Sequence, residues 1–304
     1  MLKLAVHYSP QMVALVDHEE INFDLFKCPA WPDILNAAQV LRPAYVHFPL
    51  RAGAGIGHLI DSETRRHAIW SQLETLMAHT ATRHINVHLA PLQGDHPQLP
   101  STSVSKRVSA HLKSALLDDL ESVIRRYGAD KVILENAGND ADHFHVALHP
   151  DLIRDIVETT GCGFLLNLAH AQLAARLLKI PLTDYLAALP VRHIREIHLS
   201  GVQLFDQAWV KVVRPHLPPG LPFLARYSGQ WVDHLPMTEA DWELFEHVLG
   251  QITSRAWGKP WVIAFEYSGI GPFWQAVTQT DVLRDQVRRL YAAVHPPAKV
   301  RRRG

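Results

Sequence analysis

Three short stretches, KVILEN at 131–136, GFLLNL at 163–168 and REIHLS at 195–200, carry most of the information about the fold. Each is a short apolar or alternating run of the length typical of a buried strand, and each has a polar or ionisable side chain at or near its carboxyl end. The segments between them have the apolar spacing of helices. Because strands that alternate with helices are joined by crossovers, the pattern predicts a parallel sheet.

The same alternation extends along the whole chain. Eight βα units that close on themselves predict an α/β fold, a single (β/α)8 TIM barrel over residues 1–295, followed by a disordered basic tail at 296–304. The connections 91–104 and 201–237 are long, which is typical of binding loops or of an unrecognised element. The eight predicted strands are 2–7, 23–28, 44–49, 85–90, 131–136, 163–168, 195–200 and 261–266.

Composition argues against several functional classes. Lys plus Arg equals Asp plus Glu, 30 against 30, so no net charge favours nucleic acid, and such a partner is not expected. No apolar run is long enough for a signal peptide or a membrane span, which predicts a cytoplasmic protein without a membrane partner. The two cysteines, Cys28 and Cys162, lie far apart and do not form a zinc motif.

Metal-binding side chains recur at the carboxyl ends of the predicted strands. In a barrel these ends converge on one mouth, so residues remote in sequence become neighbours. Imidazole and carboxylate ligands suit Mn, Fe or Zn, and the set is large enough for one to three ions. Six residues lie at or near strand ends and three just beyond them: His47, His88, Glu135, Asn167, His198 and Glu266, then His170, Asp233 and His234.

Chance is the competing explanation, because 20 histidines in one chain must place some at strand ends. Two glutamates favour a real site. Glu135 and Glu266 each end an apolar run, where burying an unpaired carboxylate costs several kcal/mol. A bound cation would remove that cost.

Residues after the third and eighth strands are candidates for substrate binding. Arg51 is placed to hold an anionic group with help from Gly53, Gly55 and Gly57, although GAGIG lacks phosphate-loop spacing and also fits a simple turn. Tyr267 and Trp274 follow the eighth strand and are expected to face the mouth. Lesser candidates for the mouth are His7, Lys27 and Ser200.

With these residues in view, the chain resembles the xylose-isomerase-like TIM-barrel superfamily. That superfamily includes sugar isomerases and epimerases, endonuclease IV, and multinuclear non-heme iron-dependent oxidative enzymes. Its central metal is held by Glu, Asp, His and Glu, to which Glu135, Asn167, His198 and Glu266 are similar. Endonuclease IV and the iron enzymes have further metal ligands, and the residues of this chain that resemble them are His47, His88, His170, Asp233 and His234.

Two short motifs carry part of the resemblance, and two features depart from it. NLAHA is similar to the Asp-x-x-His turn of the endonuclease, and EIHLSG to a stretch common in the oxidative enzymes. Asn167 stands where the superfamily has Asp, so one anionic ligand is lost. Asp233 and His234 are adjacent, whereas one residue separates their counterparts.

The resemblance implies a metal-dependent isomerase or epimerase that acts on a small, carbohydrate-like substrate. Glu135 and Glu266 would be the catalytic groups that move a proton while a divalent ion polarises the substrate oxygens. Three alternatives remain open at this point. The first is a multinuclear non-heme iron oxidative enzyme that modifies a peptide presented by a partner protein. The second is an abasic-site endonuclease-like hydrolase. The third is a barrel that binds metal or sugar without catalysis.

Overall fold

The computed structural model describes residues 1–54, 69–138, 142–217 and 223–297. From residue 298 onward, the tail predicted to be disordered lies outside this range. The strands are β1 Lys3–His7, β2 Leu25–Cys28, β3 Ala44–Val46, β4 Arg51–Ala52, β5 Ile85–Leu89, β6 Val132–Asn136, β7 Gly163–Asn167, β8 Ile194–Leu199, β9 Gly201–Leu204, β10 Trp231–Leu235 and β11 Val262–Phe265.

Helices follow most of the strands, as the alternation predicts. They are α1 Pro10–Asp17, α2 Pro32–Leu41, α3 Ile69–His79, α4 Lys106–Tyr127, α5 Pro150–Thr160, α6 Leu168–Leu178, α7 Leu182–Ala188, α8 Gln207–Val213, α9 Phe223–Tyr227, α10 Glu239–Thr253, α11 Pro272–Val277 and α12 Thr280–Val294. None of the helices in the described ranges is long and apolar enough to cross a bilayer.

The main sheet is parallel and curled, with nine strands among the described residues in the order β3-β2-β1-β11-β8-β7-β6-β5-β4. The strands β1 and β11, from opposite ends of the chain, are neighbours and pair Ala5 with Ala264. All eight predicted strand regions contribute to this sheet.

The third predicted strand is shorter than expected. It was predicted over 44–49, but β3 ends at Val46 and pairing resumes only at Arg51 in β4. The Asn86 side chain accepts from the backbone N–H of Phe48 at 2.7 Å and donates to the Phe48 carbonyl at 2.9 Å. These backbone groups therefore bind a side chain in place of a strand partner, and Pro49 has no N–H to offer.

Alternation along the strands places the polar residues inside the curl of the sheet. Residues two apart on a strand share a face, so Ala5 lies below His7 and Tyr45 below His47. Ala5, Leu25, Tyr45, Trp261, Val262 and Ala264 form one apolar cluster. The opposite face of the sheet packs under the helices in a larger apolar core. The inner cluster therefore closes the bottom of the space into which the site residues project.

The long connection 201–237 contains its own secondary structure. The strands β9 and β10 pair antiparallel as a second sheet, with Trp231 opposite Leu204. Between Val232 and Leu235 the register shifts. A small apolar cluster that includes Phe205, Val232 and Leu235 packs beneath this hairpin and joins it to α11. The hairpin consequently holds residues 233 and 234 over the carboxyl edge of the main sheet.

Candidate functional site

The tightest group of ligand atoms at the carboxyl edge comes from β5, β6 and the residue after β3. The Nε2 atoms of His47 and His88 lie 3.4 Å apart, and Oε2 of Glu135 lies 3.4 Å from the first and 3.1 Å from the second. Ligands about 2.1 Å from a shared ion at tetrahedral or octahedral angles lie about 3.0–3.4 Å apart. The three atoms are therefore spaced as the ligands of one divalent ion.

Glu135 supports this interpretation because one of its carboxylate oxygens is buried without a hydrogen bond in the described part of the chain. The residue is 1% exposed, and its Oε2 atom has no hydrogen-bond partner among the described residues. A buried carboxylate oxygen without a partner is costly. A cation between Oε2 and the two imidazoles would satisfy it, so the donor set fits a metal ion.

Hydrogen bonds to carbonyl oxygens orient four histidine rings at this edge. A carbonyl only accepts, so Nδ1 donates in each case and Nε2 of the neutral ring keeps its lone pair. This arrangement is typical of metal-bound imidazoles. The pairs are His7 with Ser268 (3.0 Å), His88 with Leu50 (3.0 Å), His170 with Asn136 (2.8 Å) and His234 with Glu266 (2.8 Å).

A second group of ligand atoms lies where the hairpin meets α6. Oδ2 of Asp233 is 3.3 Å from Nε2 of His170 and 3.8 Å from Nε2 of His234. Neighbours on a regular strand point to opposite faces, but His234 has φ of 57°, in the left-handed region. This conformation breaks the alternation and brings the side chains of two adjacent residues within 3.8 Å of each other. It also accounts for the missing spacer residue noted in the sequence.

Between these groups lies the quartet expected to hold the central metal. Nδ1 of His198 is 3.6 Å from Oε1 of Glu135 and 3.3 Å from Oε1 of Glu266. The Asn167 amide Nδ2 donates to Glu135 Oε1 at 3.1 Å and to Glu266 Oε2 at 3.2 Å. All four predicted residues meet, but Asn167 presents a donor to them.

Lys27 also reaches this quartet. It is 2% exposed, its ammonium makes a close ion pair with Oε1 of Glu266, and it lies 3.2 Å from Nε2 of His7. From the sequence, Lys27 and His7 are only lesser candidates for the mouth. Alternation in LFKC does place Lys27 on the inner face, but no pattern in the sequence links it to Glu266.

Glu196 is a further residue of the site that is not among the candidates predicted from the sequence. Its Oε1 accepts from Nε2 of His198 and from the hydroxyl of Tyr45, both at 2.8 Å, and Oε2 accepts from the indole of Trp261 at 3.2 Å. A carboxylate behind an imidazole fixes its orientation and makes it a better ligand. The signal was available, because alternation in IREIHL puts Glu196 and His198 on the same face.

Neighbouring charges keep the glutamates ionised. Burial acts to raise the pKa of Glu135, but the imidazoles of His88 and His47 hold it well below the usual value. The pKa of Glu266 is also lowered against burial, chiefly by His198 and Lys27. Both carboxylates are therefore negative at neutral pH, as metal ligands must be.

Two histidines carry compensating protons when no metal is bound. Burial lowers the pKa of His170, but the hydrogen bond and charge of Asp233 outweigh it and raise the pKa to about 9. For His198, burial is likewise outweighed by the charge of Glu266 and by hydrogen bonds to the two other glutamates, and the pKa is about 9. A divalent ion would displace such protons.

Two adjoining cavities give access to the ligand atoms. The larger, about 580 Å³, is lined by Arg51, Tyr227, Trp231 and Trp274, and the smaller, about 390 Å³, reaches Lys27, Glu135 and Glu266. Both are lined by His88, His170, His234 and Trp274. Substrate entering either cavity would meet the imidazoles.

The three residues predicted to contact substrate differ in their access to the cavities. Arg51 lines the larger cavity and pairs with Asp95 at 2.6 Å, while its predicted helpers Gly55 and Gly57 lie outside the described residues. Trp274 lines both cavities. Tyr267 is fully buried, and its hydroxyl donates to the Val277 carbonyl and accepts from the Gln279 N–H. It is absent from both linings, so the structure offers no support for a substrate contact at Tyr267.

A curled parallel α/β sheet gathers imidazole and carboxylate groups at its carboxyl edge, and this arrangement is that of a candidate metal centre. Residues 66–251, more than half of the chain, match the family model described as RiPP precursor modification enzyme MbnB/TglH/ChrH. The chain therefore belongs to this family. The superfamily resemblance stated from the sequence is thereby confirmed. Of the nine predicted ligands, His47 and Glu266 lie outside the matched range.

Individual relatives are more distant. UPF0276 protein RB0508 of Rhizobium meliloti (strain 1021) is 26% identical over 168 residues, which are 54% of this chain and 46% of that protein. The chain thus aligns with about half the length of this curated relative. Among solved structures, endonuclease IV from Thermus thermophilus aligns with 95% of this chain and 98% of its own, at 14% identity and a TM-score of 0.43. A similarity of that size carries no inference about function.

Proposed function

We propose that this chain is a metal-dependent enzyme that oxidatively modifies a precursor peptide. The observation that carries the proposal is the triad of His47, His88 and Glu135, whose ligand atoms lie 3.1–3.4 Å apart around an unsatisfied buried oxygen. Membership of a family described as RiPP precursor modification enzymes supports a peptide as the substrate. Together they favour the oxidative alternative over sugar chemistry.

Two sets of side chains would hold ions in this proposal. The first is the triad, and the second is His170, Asp233 and His234. Iron is the ion proposed, because imidazole and carboxylate suit it and a redox-active metal supplies the oxidising chemistry when bound. Carbonyl oxygens hold three of these rings in the tautomer that binds metal, so the protein fixes the ligands in advance.

The cavities suggest how a peptide would be received. A cavity of about 580 Å³ is large enough for one or two side chains but not for a folded partner, and its aromatic lining suits an extended segment. We propose that Arg51 and Trp274 bind this segment beside the metal. Glu135 and Glu266 are the candidate catalytic groups, Glu135 as a metal ligand and Glu266 as a carboxylate facing the smaller cavity.

Closure of the sheet into one (β/α)8 barrel is part of the proposal. The two edge strands, β3 and β4, are separated by only four residues of the same connection, and Asn86 binds the backbone of Phe48 within it. A ring of eight strand regions, with the third interrupted, accounts for both facts. The single domain over 1–295 and the cytoplasmic location stay predictions.

Other activities named from the sequence also stay predictions. These are the isomerase or epimerase reaction, the abasic-site hydrolase and a binding role without catalysis. The family description, which names a peptide precursor, supports none of the three.

The proposal is tested with protein purified without oxygen and loaded with Fe²⁺. Peptides encoded beside the gene are incubated with it in the presence and absence of oxygen, and their masses are followed. We expect an oxygen-dependent mass change that Glu135→Gln abolishes and that Glu243→Gln, an exposed position on α10, leaves intact. Turnover of a sugar panel, with no peptide mass change, would instead favour the isomerase.

A further inference from the structure

Lys27 places a positive charge where the central metal of the quartet was expected. Its ammonium is in close contact with Oε1 of Glu266, and that same oxygen is the nearest carboxylate atom to Nδ1 of His198. An ion bound between His198 and Glu266 would have to share Oε1 with the ammonium. Two cations at one carboxylate oxygen repel each other strongly in a buried site.

The ammonium also occupies a second ligand atom. Nε2 of His7 lies 3.2 Å from Lys27 Nζ, and Nδ1 of the same ring lies 3.0 Å from the Ser268 carbonyl oxygen. The carbonyl can only accept, so the His7 lone pair on Nε2 is left for the ammonium. Of the four oriented histidines, His7 is thus the one whose free nitrogen already has a cationic partner.

Asn167 also disfavours a metal ion within the quartet. Its Oδ1 caps α6 by accepting the His170 N–H at 3.2 Å, which turns Nδ2 toward Glu135 and Glu266. The reversed orientation would set Oδ1 against two carboxylates and leave the helix N-terminus uncapped. The quartet therefore receives two N–H donors from Asn167, whereas a metal needs a ligand oxygen there.

We infer that Lys27, with Asn167, takes the place of the central metal ion, so that the chain holds two divalent ions and not three. This inference rests on the proposed function and refines its metal content. One ion would lie at the triad of His47, His88 and Glu135. The other would lie at the second group, His170, Asp233 and His234. Lys27 then holds the Glu266 carboxylate in place through their close ion pair.

The inference is tested by counting ions. Wild-type protein is stripped with a chelator, reconstituted anaerobically with Fe²⁺ and in parallel with Mn²⁺, desalted and measured by inductively coupled plasma mass spectrometry. We expect two ions per chain. The double variant Lys27→Met with Asn167→Asp removes the ammonium and supplies the missing carboxylate, and should bind a third ion.

Matched variants separate charge from general perturbation. Lys27→Arg keeps the charge and should stay at two ions, as should Asn167→Asp alone, in which the ammonium remains. Lys113→Met breaks the ion pair of a half-buried lysine with Asp155, away from the site, and should leave the number of bound ions unchanged. If circular dichroism shows that the double variant is unfolded, the numbers of ions bound by the wild type and by Asn167→Asp still test the inference.

Each outcome bears on a different claim. Three ions in the wild type or in Asn167→Asp, or two ions in a folded double variant, would overturn the inference while leaving the proposed function standing. A wild-type chain that binds no ion would contradict the proposed function and this inference together.

Discussion

His198 donates its Nε2 hydrogen to Oε1 of Glu196 over 2.8 Å, two residues back on the same strand. Tyr45 and Trp261 donate to the same carboxylate, so three donors from three strand regions meet on one buried anion. This network lies beneath the candidate metal centre and ties it to the inner apolar cluster. Glu196 is therefore a positioning residue, because it acts on the site through the ring of His198.

Replacing Glu196 by Gln should lower the free energy of unfolding by about 2 kcal/mol, since buried hydrogen bonds to a charged group are worth about 1.5–3 kcal/mol. A neutral amide accepts these donors less strongly and must turn its own NH2 toward one of them. Urea unfolding at pH 7 measures the change. Glu243→Gln, at an exposed position, should change stability by less than about 0.5 kcal/mol. Equal stabilities for the two variants would contradict the assigned network.

Without metal, stability should fall as pH rises from about 7 to 9. His170 and His198 both have a pKa raised from 6.5 to about 9, so the folded state binds protons more tightly than the unfolded state. The stability they contribute is fully present below pH 6.5 and is lost as pH rises through 9. Urea unfolding at several pH values in a chelator measures this, and His170→Gln should flatten the slope. A wild-type curve that is level across this range would count against the protonated pair.

Removing metal should not unfold the protein. The large apolar core under the helices contains none of the candidate ligands, and Lys27 with the protonated histidines balances the carboxylates. Metal at about 1,000 times its Kd should add about 4 kcal/mol, because it binds the folded state alone. Thermal unfolding with and without chelator shows this as a shift in Tm. A chelated protein that is already unfolded at 25 °C would contradict the expectation.

Arg51→Ala should weaken substrate binding without changing metal content. Arg51 lines the larger cavity but contacts none of the ligand atoms in the described structure. We expect KM to rise about tenfold, or about 1.4 kcal/mol, with kcat little changed. The matched control is Arg125→Ala, which removes an exposed arginine paired with Glu121 on α4. An unchanged KM, or loss of metal in Arg51→Ala, would exclude this role.

The sequence was sufficient to predict the parallel sheet and to predict which side chains lie close together at its carboxyl edge. Apolar runs that alternate with helices place the carboxyl ends of strands together, so Glu135, His198 and Glu266 were predicted as neighbours and do meet. This succeeded because period-two alternation fixes which side chains share a face, whatever their separation in the chain.

Contacts that depend on tertiary geometry were not predictable. The pairing of Lys27 with Glu266 joins residues 239 apart, and no local spacing encodes it. The break after Val46 depends on the Asn86 side chain competing for backbone groups. The left-handed conformation of His234 falls within the register shift of the hairpin, which composition alone does not reveal.

Anomalous X-ray diffraction from crystals grown with Mn²⁺ will show whether the strand ends gather imidazole and carboxylate groups around a divalent ion. We expect a peak about 2.1 Å from Nε2 of His47, Nε2 of His88 and Oε2 of Glu135, absent in Glu135→Gln. Crystals of the wild type with no peak at these three atoms, or a Glu135→Gln variant that keeps the peak, would contradict this expectation.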